Sequence, residues 1–199
     1  SKWGFPNVFE IIEVVIMKKT FGKIRGVGYL FWHARHMFYH FLLGAFWMWV
    51  VQELTGIYSV PLLLISLLGS VFPDVEHLLF FATYGKKDAY TTWVKSYVKH
   101  GDWRVLIRFL EKGHKYNTKL RFHNVYSIGI LTGLSVLFFR AHIYSGCMFT
   151  GAMVIHYVFD ILDDLASLGR VNKNWYRWGK TTKNSNPAIW KDLDKTIQR

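Results

Sequence analysis

The sequence predicts an all-α protein, an integral membrane helical bundle of about four spans with short amphipathic helices at the interface. Apolar residues fill 51% of the 199 positions and charged residues only 19%, a high apolar share for a soluble domain. Four runs of 15 to 17 residues contain no Asp, Glu, Lys or Arg. Each is shorter than the roughly 20 residues that span a hydrocarbon core, so a buried soluble core stays open as an alternative. The runs are residues 37–51, 58–72, 125–139 and 143–159.

Positive charges lie in three segments that alternate with pairs of apolar runs. Six of the 25 Lys and Arg precede residue 36, ten lie within residues 86–121, and eight follow residue 169. The positive-inside rule therefore predicts four spans in the cytoplasmic (inner) membrane, with both termini and the middle loop in the cytoplasm. The net charge of +12 then indicates contact with membrane lipids and their anionic headgroups, and no nucleic-acid partner is expected.

This charge pattern divides the chain into three parts. Residues 1–35 are expected to form an interfacial helix and a basic lead-in, because a helix-start pattern precedes a short apolar face. Residues 36–165 form the four-span domain, with a basic cytoplasmic loop at 84–122 whose apolar and aromatic residues repeat at helical spacing. Residues 166–199 form a basic, aromatic tail, and most tryptophans are expected in an interfacial belt.

Each apolar run has an ionisable residue close to the end predicted to face the cytoplasm. Ionisable groups at that depth are costly and usually face a polar interior, so they are candidates for a functional site. Imidazole and carboxylate ligands without thiolate suit Zn²⁺ best, with Mn²⁺ or Fe²⁺ left open. The sequence therefore predicts a divalent metal centre held by His40, Asp74, His123, His156 and Asp160.

Each of these residues also has a purely structural alternative. Asp74 could cap the helix that follows it, and the pair His123 and Asn124 could cap the third span. His156 could form a hydrogen bond across helices, as polar residues in membranes do. Its spacing from Asp160, one helical turn later, favours a pair of ligands instead.

The ordered motifs resemble a known family. Residues 69–77, Gly-Ser-Val-Phe-Pro-Asp-Val-Glu-His, are similar to the Gly-x-x-x-Pro-Asp-x-Asp-His signature of the YdjM-like membrane-bound metal-dependent hydrolases, with Glu76 where that family usually has Asp. The resemblance covers residues 36–165 and implies a helical fold akin to zinc-dependent phospholipase C. The other three elements correspond to His40 with Gly44, residues 121–127 and residues 156–160.

From this resemblance we expect a metal-dependent hydrolase that acts at the cytoplasmic headgroup region, on a phosphoester of a lipid or lipid-linked substrate. Glu76 is the candidate general base, and His77 is either a ligand or a residue that orients one. The alternative is a non-catalytic membrane subunit of a larger complex that uses the His/Asp cluster structurally. A membrane protein partner or a homo-oligomer is left open. A hydrolase needs an open coordination position and a cleft, whereas a structural cluster needs neither.

Overall fold

The computed structural model describes residues 27–117, 119–176 and 187–198, and within them the chain is helical, with no β-strand. The all-α prediction is confirmed. The interfacial helix predicted near the amino terminus lies outside the described residues. The α-helices are α1 (Val27–Thr55), α2 (Val60–Val71), α3 (Val75–Ala82), α4 (Ala89–His100), α5 (Trp103–Gly113), α6 (Val125–Arg140), α7 (Tyr144–Leu168) and α8 (Pro187–Gln198), and the short 3-10 turns are Phe72–Asp74, His114–Tyr116 and Lys173–Tyr176.

The chain divides into two compact units, Ser1–Phe38 and Tyr39–Arg199. Of the first unit, the structure describes the helical backbone from Val27 onward. The packing and the site geometry given below belong to the second unit.

Two helical stretches in the described part of the chain are long and apolar enough to cross a membrane. One is Val60–Ala82, 23 residues that include α2, the turn after it and α3, and the other is α7, with 25 residues. The other two apolar runs lie in α1 and in α6, and α6 has only 16 residues. By length and composition, two of the four predicted spans are therefore supported.

Local chemistry sets the ends of the helices that flank the site. Ser59 accepts a hydrogen bond from the first turn of α2 and caps that helix. Pro73 has no N–H to continue the helical pattern, and the chain passes through the turn Phe72–Asp74 before α3 begins. The Asn124 side chain accepts a 3.0 Å hydrogen bond from the N–H of Ser127 and starts α6. The caps at Ser59 and Asn124 thus fix where α2 and α6 begin, and Pro73 marks the end of α2.

Small residues let α1, α2 and α7 pack closely. A Cβ atom at Gly69 would lie 2.5 Å from the carbonyl oxygen of Phe149 in α7. A Cβ atom at Gly44 would lie 2.8 Å from the carbonyl oxygen of Ser66 in α2. The Ser66 hydroxyl donates back to the Gly44 carbonyl oxygen at 2.7 Å. The helices therefore approach at backbone distance, as small residues allow in membrane bundles.

A hydrophobic cluster joins the middle loop to α8. Tyr90 of α4 stacks on Trp190 of α8 with ring centroids 4.4 Å apart, and both are buried together with Phe109 of α5. The Tyr97 hydroxyl donates to the Asp194 carboxylate, and burial together with this contact raises the pKa of the phenol. The basic loop and the tail, which the sequence presents as separate segments, thus share one core.

Replacing Gly69 with alanine is expected to destabilise the protein, because the new methyl group would overlap the backbone of Phe149. Overpacking of this kind costs about 1–3 kcal/mol. Gly133→Ala in α6 is the matched control, since nothing lies within 4 Å of a Cβ atom there and alanine favours a helix. Thermal unfolding in detergent, followed by circular dichroism, should show a lower midpoint for Gly69→Ala alone. Equal midpoints would contradict the close contact of α2 with α7.

Candidate metal centre

The structure brings all five predicted metal ligands together, from four different parts of the chain. Their ligand atoms form three overlapping triads, in each of which the atoms lie within 4.8 Å of one another. His77 of α3 joins one of these triads. The triads are His40 of α1, Asp74 of the turn and His156 of α7; Asp74, His77 and His123 of the loop before α6; and His123, His156 and Asp160 of α7.

His156 is held in one tautomer by the backbone of α2. Its Nδ1 lies 2.6 Å from the carbonyl oxygen of Ser70, which can only accept, so Nδ1 carries the proton. The lone pair of the neutral ring is then on Nε2. That atom lies 3.1 Å from Oδ2 of Asp160 and 3.8 Å from Oδ1 of Asp74. The Ser70 hydrogen bond therefore points the ligating nitrogen at two carboxylates.

His40 and Asp74 complete the other side of the cluster. The His40 ring is fully buried and stacks on the His156 ring, with centroids 4.0 Å apart. Its Nε2 lies 3.7 Å from Oδ2 of Asp74. Asp74 makes no side-chain cap hydrogen bond to α3, so it does not act as the helix cap that was the alternative from sequence. Its carboxylate faces the histidines instead.

Glu76 is the most extensively bonded carboxylate near the cluster. It accepts hydrogen bonds from the backbone N–H groups of Arg121, Phe122 and His123. It also accepts the Tyr84 hydroxyl at 2.6 Å. Burial and the adjacent carboxylate raise the pKa of the Tyr84 phenol, so this group stays a donor. These bonds occupy the Glu76 carboxylate with protein donors, which favours an orienting role over the general-base role predicted from sequence.

The residue that Glu76 orients is His123. The Nδ1 atom of His123 lies 2.7 Å from Oε2 of Glu76, so Nδ1 is the protonated nitrogen facing the carboxylate. The opposite nitrogen, Nε2, lies 3.7 Å from Oδ2 of Asp160. Asn124, not His123, provides the cap of α6. Asn124 therefore caps the helix, and His123 faces the cluster.

The spacing of these nitrogen and oxygen atoms fits a shared cation. Two atoms that each lie about 2.1 Å from a tetrahedral ion are roughly 3.4 Å apart. The nitrogen–oxygen separations around Asp74 and Asp160 are 3.1 to 3.8 Å. The buried Nε2 atoms of His123 and His156 have no hydrogen-bond partner among the described residues. The residues present therefore could hold a divalent metal ion, and no thiolate is among the donors.

A small cleft of about 40 Å³ opens beside the cluster. His77, His123 and Asp160 form the wall on the side of the cluster. Other lining residues come from the segments around the turns His114–Tyr116 and Lys173–Tyr176. An open approach of this kind is what a catalytic site needs and a purely structural cluster does not.

Several cleft residues carry no signal in the sequence. They lie in short polar connections far apart along the chain, and only the packing of the connections against α7 brings them together. Trp175 was expected in an interfacial belt, but its ring is 3% exposed and its Nε1 donates to Asp164 at 2.9 Å. Among the cleft residues that the sequence did not suggest for this site are Lys115, Asn117, Asn172, Asn174 and Trp175.

Glu76→Gln is expected to weaken metal binding by about 10–100-fold, the usual effect of losing a residue that orients a ligand. Glutamine keeps the shape but replaces one acceptor oxygen by an NH₂ group and removes the charge that faces His123. Competition with a chelator of known affinity measures the change. Glu53→Gln, an exposed carboxylate near the end of α1, is the control. Equal affinity in both variants would show that His123 is held without Glu76.

In comparisons with known proteins, the chain matches no protein-family model, no curated protein and no solved structure. The similarity to the YdjM-like hydrolases stays a prediction that rests on the four sequence motifs. The chemistry of the chain is therefore inferred from the geometry of its own residues.

Proposed function

We propose that the protein is an integral membrane metal-dependent hydrolase, related to the YdjM-like family, that cleaves a phosphoester of a lipid or lipid-linked substrate. The observation that carries this proposal is the set of nitrogen–oxygen separations of 3.1 to 3.8 Å around Asp74 and Asp160. They match two ligands of one ion, and they border an open cleft. A hydrolase uses both features, whereas a structural subunit needs only the first.

The exposure of apolar side chains supports a membrane location. Only 28% of the Val60–Ala82 window and 39% of the α7 window are buried inside the protein, whereas the core helix of a soluble domain is mostly buried. Large exposed apolar surfaces mark contact with a membrane or a partner. Helices α1, α2, α3 and α6 each present such side chains, including Leu54 (70% exposed), Leu68 (65%), Leu78 (68%) and Ile130 (65%).

The orientation in the membrane follows from charge. The basic segments before residue 36, within 86–121 and after 169 are placed on the cytoplasmic side of the inner membrane, against anionic headgroups. The metal centre then lies at the cytoplasmic surface, because His123 follows the middle loop directly and Asp160 directly follows the apolar run of α7, on the side of the tail. A phosphoester at headgroup depth can reach such a site without leaving the membrane.

The chain's own residues have distinct tasks in this proposal. His40, Asp74, His123, His156 and Asp160 hold the metal ion, with Zn²⁺ first and Mn²⁺ or Fe²⁺ as alternatives. When bound, a divalent ion acidifies water and polarises a phosphoryl oxygen.

Glu76 and Ser70 fix the imidazole tautomers of His123 and His156, as described above. His77 is the candidate for proton transfer, because it lines the cleft and its ring lies 5.2 Å from the His123 ring.

Asp74→Asn and His156→Ala are expected to lose both bound metal and turnover while the protein still folds. Elemental mass spectrometry of detergent-purified protein measures the metal, and release of phosphorylated headgroup from mixed micelles measures turnover. Glu53→Gln, remote and exposed, should keep both. Wild-type protein without metal, even after reconstitution with excess Zn²⁺, Mn²⁺ or Fe²⁺, would contradict the hydrolase and favour the non-catalytic subunit.

The proposed topology predicts which positions an impermeant thiol reagent can reach. The sole cysteine, Cys147, is buried, so wild-type protein should give a low background. In intact cells a charged maleimide should label Glu53→Cys, at the end of α1 that the topology places on the outer side. It should label Lys99→Cys only after the cells are permeabilised. The reverse pattern would invert the topology, and labelling of both in intact cells would contradict a membrane-spanning bundle.

A further inference from the structure

Two asparagines of the cleft beside the metal centre are almost completely buried. Asn117 follows the turn His114–Tyr116, and Asn174 lies in the turn Lys173–Tyr176. Each is 3% exposed, and both line the cleft. Asn117 belongs to the middle loop and Asn174 to the tail, so they are far apart along the chain. The fold has therefore placed two amides in the wall of one small opening.

Existing hydrogen bonds fix which way each amide points. The Oδ1 atom of Asn117 accepts from the N–H of Lys119 at 3.1 Å, so its Nδ2 is the remaining donor. The Nδ2 atom of Asn174 donates to the carbonyl oxygen of His123 at 2.6 Å, so its Oδ1 is the remaining acceptor. Flipping either amide would break these bonds and, for Asn174, set two carbonyl oxygens against each other.

One donor and one acceptor are left over after these bonds. Nδ2 of Asn117 and Oδ1 of Asn174 are both buried and have no hydrogen-bond partner within the described residues. Buried polar groups of folded proteins nearly always have partners. The pair is also tied to the metal centre, because Asn174 is bonded to the backbone of His123. The two atoms are therefore suited to a ligand group that sits next to the reacting phosphoester.

The charged groups of the same cleft are already engaged. Lys115 pairs with Asp163 at 2.7 Å and donates to Ser167 at 2.6 Å. Asp164 accepts the indole N–H of Trp175 at 2.9 Å. A charged headgroup would have to compete with these contacts. A quaternary ammonium group would also offer neither a donor nor an acceptor to the two amides.

We propose that this cleft is a subsite for a hydroxyl-bearing headgroup, whose hydroxyls accept from Asn117 and donate to Asn174. A hydroxyl is both a donor and an acceptor and therefore matches the leftover atoms without any net charge. The inference rests on the proposed function in one respect, namely that this group is the alcohol part of the phosphoester that the centre cleaves. The substrate class is then a phosphodiester lipid with a polyol headgroup.

The test compares two lipids that differ only in the hydroxyls. Metal-loaded, full-chain protein in mixed micelles is given phosphatidylglycerol or phosphatidylpropanol, which have equal charge and equal carbon number. We expect a kcat/KM ratio of at least about 100 in favour of the glycerol headgroup, because a site built to bond a hydroxyl strongly rejects the analogue that lacks it. Equal rates on the two lipids would overturn the subsite and leave the hydrolase intact.

Variants of Asn117 test whether the preference for the glycerol headgroup arises in this cleft. Asn117→Asp keeps the oxygen that accepts from Lys119 but replaces the free donor by an acceptor, and Asn117→Leu removes both. Both variants should reduce the ratio at least about tenfold, whereas Glu53→Gln should keep it. Circular dichroism checks that each variant folds. A ratio that stays at the wild-type value in both folded variants would contradict the assignment.

A binding measurement separates this inference from the hydrolase proposal. Calorimetry with glycerol 1-phosphate and propyl phosphate, on the same metal-loaded protein, needs no turnover. If no lipid is cleaved, the proposed function fails, and tighter binding of glycerol 1-phosphate that is lost in Asn117→Asp still supports the subsite. Equal binding of the two phosphates, or no binding of either, overturns the subsite.

Discussion

The buried Glu76 carboxylate is the interaction on which the rest of the site depends. A buried carboxylate is costly unless its oxygens are bonded, and here three consecutive backbone N–H groups, an imidazole and a phenol bond it. Those N–H groups belong to a segment without regular secondary structure. One side chain of α3 thus orders the segment before α6, aims His123, and connects the centre to Tyr84 at the edge of the basic loop.

Helix packing and ligand orientation are linked through the small residues of α2. Gly69 allows α2 to approach the backbone of Phe149 in α7. The next residue, Ser70, uses its carbonyl oxygen to hold the proton of His156, also in α7. A wider separation of the two helices would lengthen that hydrogen bond and release the ring. Close packing therefore contributes to the orientation of this candidate ligand as well as to the stability of the helical bundle.

The sequence was sufficient to predict the all-α class. It also predicted that the candidate ligands meet, because His40, Asp74 and the pair His156 and Asp160 lie near the ends of apolar runs. The sequence singled out Glu76 but could not predict its hydrogen bonds, since most donors to this carboxylate are backbone groups that no side-chain pattern encodes. The sequence also could not predict that Asn117 and Asn174 line one cleft, because only tertiary packing brings them together. Length and composition support two of the predicted spans, Val60–Ala82 and α7, and the others stay predictions.

The order of the ligands along the chain has a consequence for biogenesis. His40 and Asp74 emerge early during synthesis, whereas His156 and Asp160 come from the last long apolar helix. Until α7 packs against the other helices, His156 and Asp160 are missing from the cluster, and the Ser70 carbonyl oxygen has no imidazole to accept from. Assembly of the His/Asp cluster is therefore coupled to the packing of α7, so a chain that stalls before α7 cannot form the full cluster.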